Sequence, residues 1–135
     1  MGAVPTSLDH VTVVASDLRR SLAFYDATLG ALGLYRAAEF GDEEESDAAV
    51  EAAGWGVPDG RPIIWLVTAD RPSTDVHISL RATSREEVEA FFAAGTAAGG
   101  TPRARPRRWP IYRRGDFSAA VSDPDGNTLE AVAAE

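Results

Sequence analysis

The sequence predicts an α+β fold of two βαβββ modules that together form a curved mixed sheet around a pocket. Three observations carry this prediction. First, Leu8–Gly33 superposes without a gap on Asp75–Gly100 when shifted by 67 positions: His10 meets His77, Val11 meets Ile78, Val13 meets Leu80, Phe24 meets Phe91 and Gly33 meets Gly100. A long internal period of this kind marks two copies of one supersecondary unit. Second, each copy opens on an alternating, β-branched run and continues into a segment whose apolar residues recur at helical spacing. Third, each half closes with a Pro/Asp/Gly turn followed by an apolar strand.

Taken in order, Leu8–Ala15 is the first strand, with Val11 and Val13 on one face and His10, Thr12 and Val14 on the other. Ser16 or Asp17 caps a helix whose apolar stripe is Leu18, Leu22, Tyr25 and Leu29, and Gly30 and Gly33 end it. Leu34–Phe40 is a second strand. The acidic stretch that follows is a solvated loop or hairpin tip, Ala48–Gly54 is a weak third strand, and Ile63–Thr68 is a strong apolar fourth. Arg71–Thr74 connects the halves. Val76–Ala82 opens the second copy, with His77, Ser79 and Arg81 on one face. Ser84 and Glu87 form a capping box for a helix carrying Val88, Phe91 and Phe92, which Gly99-Gly100 stops. Pro102, Pro106 and Pro110 allow at most an edge strand through the arginine-rich run. Asp116–Val121 and Thr128–Val132 are the last two strands, joined by the Asp123-Pro124-Asp125-Gly126 turn. The helices would cover one face of each sheet. The opposite face would then carry His10, Thr12, His77, Ser79, Arg81, Thr128 and Glu130, polar residues whose placement implies a wet pocket.

Composition bounds the function. The 135 residues suit one domain, expected over residues 6–133 with modules at about 6–70 and 74–133. No apolar run is long enough for a membrane helix, and the start lacks the basic and apolar regions of a secretory signal, so a cytoplasmic location is expected. The absence of cysteine excludes disulfides, a thiolate nucleophile and zinc–thiolate sites. A net charge of −8 argues against nonspecific nucleic-acid binding. Seven acids crowd Glu39–Glu51, six arginines crowd Arg103–Arg114, and there is no lysine.

The segments HVTVVASDLRRSLAFYDATLGALG, HISLRATSREEVEAFF and SDPDGNTLEAV resemble the vicinal oxygen chelate superfamily. That group holds glyoxalase I, extradiol dioxygenases, fosfomycin-resistance thiol transferases, methylmalonyl-CoA epimerase and bleomycin-binding proteins. The resemblance implies metal ligands on the first and last strands of each module. His10, His77 and Glu130 fill three of those positions. The fourth falls at Ile64 or Trp65, neither of which can bind a metal. Two histidines and a carboxylate suit Fe(II) or Mn(II), with nickel and zinc also open. Glyoxalase I would want four protein ligands. An extradiol dioxygenase would want a further histidine for proton transfer, for which Tyr112 is the substitute in this chain. The fosfomycin enzymes share a threonine two residues after the first histidine, here Thr12, and a similar closing segment. They also use a lysine, which is absent here.

The resemblance therefore implies a metal-dependent enzyme acting on a small, anionic, oxygen-chelating substrate. Lyase, isomerase, thiol-transfer and dioxygenase chemistry all stay open. Glu130 and Tyr112 are the expected catalytic groups. Thr12, Ser79, Arg81, Trp65, Trp109 and Arg113 are the expected substrate-binding residues. Arginine in the Arg103–Arg114 run would serve as an anion clamp, against the simpler reading of a solvated rim. The alternative function is a metal-free protein that sequesters a drug-like molecule, as bleomycin-resistance proteins do; a third is a structural module with a vestigial site. A homodimer is expected because a lone module leaves an open sheet edge. Whether each site forms within one chain or across two is left open.

Overall fold

A computed structural model describes residues 5–41, 50–108 and 116–134. Its element order is β1 (Val11–Ala15), α1 (Leu18–Ala31), β2 (Tyr35–Gly41), β3 (Val50–Gly56), β4 (Ile64–Thr68), β5 (His77–Ala82), α2 (Arg85–Ala97), β6 (Thr101–Arg108), β7 (Phe117–Ser122) and β8 (Thr128–Ala133). The two βαβββ modules form two separate four-stranded sheets. Sheet A runs β1-β4-β3-β2 and sheet B runs β5-β8-β7-β6. In both, the first strand lies parallel to the last of its module and the other pairs are antiparallel. The same chain order thus gives the same mixed sheet twice.

Strand parity divides the two faces of each sheet. In sheet A, Val13, Ala15, Ala53, Trp55, Ile64 and Leu66 are buried beneath α1. In sheet B, Ala119, Val121, Leu129, Ala131 and Ala133 are buried beneath α2. Asp17 caps α1 by accepting from the backbone N–H of Arg20, and Ser84 caps α2 by accepting from that of Glu87. The second half of the expected capping box is displaced by one residue. The Glu87 carboxylate reaches the N–H and hydroxyl of Thr83, at 3.1 and 2.8 Å, and so fixes the approach to the cap.

The gapless repeat slips at the helix ends. The helices start 67 residues apart but end 66 apart, because α2 is one residue shorter. Gly99, with φ +95°, therefore does the work of Gly33, with φ +83°, in the left-handed position after each helix. Gly100 is left for a different task. A methyl group there would lie 2.5 Å from the ring of Phe24, so its bare Cα lets α1 and α2 close on each other. Gly95 does the same against Thr28.

That helix–helix contact explains why α1 is buried more widely than its predicted stripe. Ser21, Phe24 and Thr28 are fully buried alongside Tyr25 and Leu29. Trp55, one residue beyond the segment that reads as a weak strand, is fully buried too; its ring lies 5.7 Å from that of Tyr25 and its indole N–H donates to Asp26 at 2.9 Å.

The modules are clasped by the Asp123–Asn127 turn. The buried Asp123 carboxylate accepts from the backbone N–H of Asp125 and of Asn127, from the Asn127 amide, and from the Tyr25 hydroxyl of α1 at 2.7 Å. Asp125 accepts from the backbone N–H and hydroxyl of Ser16, while Asn127 binds Ser73 and Val76 of the connection. No helix among the described residues is long and apolar enough to cross a membrane.

Candidate functional site

The face of sheet B turned away from α2 carries most of the chemistry. β5 and β8 run parallel with His77 beside Thr128, Ser79 beside Glu130 and Arg81 beside Val132. Because Leu129 and Ala131 pack under the sheet, Glu130 must point the other way. There its Oε1 accepts from the Ser79 hydroxyl at 2.5 Å and lies 3.2 Å from His77 Nε2. On its other side the β7 neighbour is only Ala120. This small residue leaves room for a cavity of about 470 Å³, walled by His77, Glu130, Thr128, Asp75, Ala120 and Arg103. Arg81 is four residues from His77 along β5, on the same face, and exposed.

Sheet A presents a second, separate set on its own open face. His10 stands just before β1, and Thr12 follows it with the same parity; both are exposed. His10 Nδ1 bonds Asp9 Oδ1 at 2.8 Å, and the other oxygen of Asp9 lies 3.3 Å from Arg61. The hydrogen bond to His10 and then the charge of Arg61 hold the Asp9 carboxyl below the usual range. With Nδ1 engaged, Nε2 is the imidazole nitrogen left to bind anything else. Trp65 pairs with Thr12 across β1 and β4 and with Gly54 across β3 and β4. A methyl group at position 54 would lie 3.0 Å from the Trp65 ring, so the indole lies over bare backbone. The neighbouring residues on this face are Val14, Val67 and Ala52. It is an apolar wall with one imidazole at its end.

Among the described residues, no three of His, Asp and Glu come close enough together to hold a metal ion. His77 and Glu130 meet; His10 does not join them. The physical reason is the helix–helix contact. α1 and α2 pack on each other, each on the inner face of its own sheet, so the faces bearing His10 and Glu130 are turned outward on opposite modules. Tyr112, Trp109 and Arg113 lie outside the described residues. The sequence does not point to Asp9, and it does not single out Arg103 within the run expected to clamp an anion. Asp9 is marked only by its place beside His10. Arg103 is one of six arginines in a run, and nothing in the sequence sets it apart.

Residues 7–131 match the Glyoxalase/Bleomycin resistance protein/Dioxygenase superfamily. The chain belongs to this superfamily. Its fold is that of a glyoxalase/bleomycin resistance protein from Albidiferax ferrireducens, at 30% identity and a TM-score of 0.72, covering 93% of this chain and 97% of that one. It is also similar in fold to the fosfomycin resistance protein FosX of Listeria monocytogenes, at 19% identity and a TM-score of 0.64, covering 98% and 94%. TioX from Micromonospora shows the same fold at 16% identity and a TM-score of 0.64, covering 96% and 97%. No protein of curated function matches the chain. Superfamily membership accounts for the duplicated module and leaves the reaction open, because this fold hosts several chemistries.

Proposed function

We propose that the protein is a metal-dependent enzyme that acts on a small, anionic, oxygen-chelating substrate, and that its site is completed by a second copy of the chain. The observation that carries this reading is the 3.2 Å approach of His77 Nε2 to Glu130 Oε1 on the wall of a cavity of about 470 Å³. An imidazole nitrogen and a carboxylate aimed at one point are two of the three donors of a facial site. The third, His10, stands on the outward face of the other module with its Nε2 available. Leu8, Tyr35, Val57 and Ile63, the large apolar side chains that stand exposed among the described residues, lie at this same end of sheet A. Apolar surface of that kind favours coverage by another protein surface.

His77 and Glu130 of one chain and His10 of a second would hold the metal, which supplies Lewis-acid polarisation of a bound substrate oxygen. Ser79 steadies the Glu130 carboxylate. Thr12 and Trp65 of the second copy would form the opposite, apolar wall, and Tyr112, Trp109, Arg113 and Arg81 would complete the substrate side. Metal content of protein purified without a histidine tag tests this. About one equivalent of a divalent metal per chain is expected; less than about 0.1 equivalent after reconstitution would defeat it.

One observation favours a metal-free binding protein instead: among the described residues a single chain brings only two donors together, and the apolar wall built from Trp65, Val14 and Val67 lies apart from them on the other module. On that reading a hydrophobic ligand raises the melting temperature and a chelator leaves it unchanged. A melting temperature that falls on chelation excludes it.

A further inference from the structure

We propose that Arg103 is a specificity-determining residue of this site, reading a terminal oxyanion, such as a carboxylate, on the part of the substrate remote from the metal. The inference deepens the reading above and rests on it for the location of the reacting end.

The argument starts from the register of β6. Pro102 pairs with Val121 and Ala104 with Ala120, so adjacent residues of β7 face residues two apart on β6 and Arg103 is the extra one. A bulge of this kind re-aims the side chain it carries. Here the side chain reaches Ser122 of β7, a buried residue whose hydroxyl accepts from Arg103 Nε at 2.5 Å. Ser122 is itself 3.4 Å from the Thr128 hydroxyl, which also borders the cavity. The guanidinium is therefore anchored by a neutral group that takes none of its charge.

Two carboxylates share this cavity, Asp75 and Glu130, yet neither forms an ion pair with Arg103 among the described residues. Among the described residues this cavity arginine is kept from carboxylates, and its charge is held in reserve. With Nε engaged, the edge formed by the two terminal amino groups is what it offers, and that edge matches an oxyanion with two parallel hydrogen bonds. Glu130 and His77 lie on the same wall system. A substrate that meets them with its chelating oxygens can thus meet Arg103 with a second, charged group.

The experiment uses full-length protein reconstituted with Mn(II) and two probes with one chelating head. Acetohydroxamate has a methyl tail; succinohydroxamate has a carboxylate tail. Calorimetric titration should show wild type preferring succinohydroxamate by about tenfold or more, the size expected for a charge-assisted pair. Arg103→Met should abolish that preference and leave acetohydroxamate affinity within about twofold, and Arg103→Lys should retain part of it. Equal affinities in wild type, or a preference that survives Arg103→Met, would overturn the assignment of Arg103. Failure of the metal reading is seen separately, as absent Mn(II) uptake before any probe is added. In that event a carboxylate preference lost in Arg103→Met still upholds the arginine's role, and no such preference overturns it.

Discussion

Glu130 shows how much a single residue's setting depends on what it is paired with. Its side chain is 17% exposed, touching Ser79 and His77. A carboxylate so placed is costly without a cation or donors to offset its lost hydration. Glu130→Gln keeps the shape and removes the charge. Metal affinity should fall by at least about a hundredfold while the metal-free fold changes by less than about 1 kcal/mol, or gains slightly. Asp70, exposed on the connection side of β4, should be indifferent to the parallel change to Asn. Equilibrium dialysis and urea unfolding of the two variants decide the matter. Unchanged metal content in Glu130→Gln together with loss in Asp70→Asn would mean that the closing strand does not supply a ligand.

At the scale of elements, the contact between α1 and the Asp123–Asn127 turn joins the two modules through one buried phenol. Burial first, and then the charge of Asp123, hold the Tyr25 hydroxyl proton well above the ordinary tyrosine range. In the unfolded chain the same phenol titrates near pH 10, at about its unperturbed value. A group whose pKa is raised on folding contributes its stability in full below the unfolded pKa and loses it as pH rises. Stability should therefore be level to about pH 10 and then decline by up to about 1.4 kcal/mol per pH unit. Tyr25→Phe should lower stability at pH 7 by about 1–2 kcal/mol, because Asp123 loses one of its donors, and should flatten the alkaline decline. Urea titrations between pH 7 and 11 compare the two slopes. An equally steep fall in the variant would assign the alkaline sensitivity to another group.

For the whole molecule the question is how His10 comes to serve the same site as His77. If one chain supplies His10 and another supplies His77 and Glu130, then His10→Ala and His77→Ala are each unable to bind metal alone but complement each other. Random re-pairing after mixing should restore about a quarter of the wild-type metal per chain, since half of the dimers carry one intact site of two. Sites built within one chain would recover nothing. Light scattering sets the precondition: a mass of twice 14.3 kDa is expected, and 14.3 kDa at micromolar concentration would rule out the shared site.

The sequence by itself determined the modules. Alternation in Leu8–Ala15 and Val76–Ala82, the caps at Asp17 and Ser84, and the repeat of 67 positions are local signals, and local signals suffice to specify strands, helices and which side chains share a face. They also placed His77, Ser79 and Glu130 on one face of one sheet, where the structure brings them together. Trp55 went unread because the strand around it, VEAAGWG, has small residues and little β-branching; its burial comes from Tyr25 and Asp26, which are near only once α1 lies on the sheet. Within the arginine run expected to clamp an anion, Arg103 could not be singled out, because a bulge is a property of strand pairing, and pairing with β7 is what turns it toward Ser122 and the cavity. Only the tertiary structure decided that His10 and His77 face away from each other. Two equivalent strands carry them, and equivalence within the modules says nothing about how the modules meet. That was settled by Phe24, Thr28, Gly95 and Gly100, the residues through which α1 and α2 exclude water from the space between them.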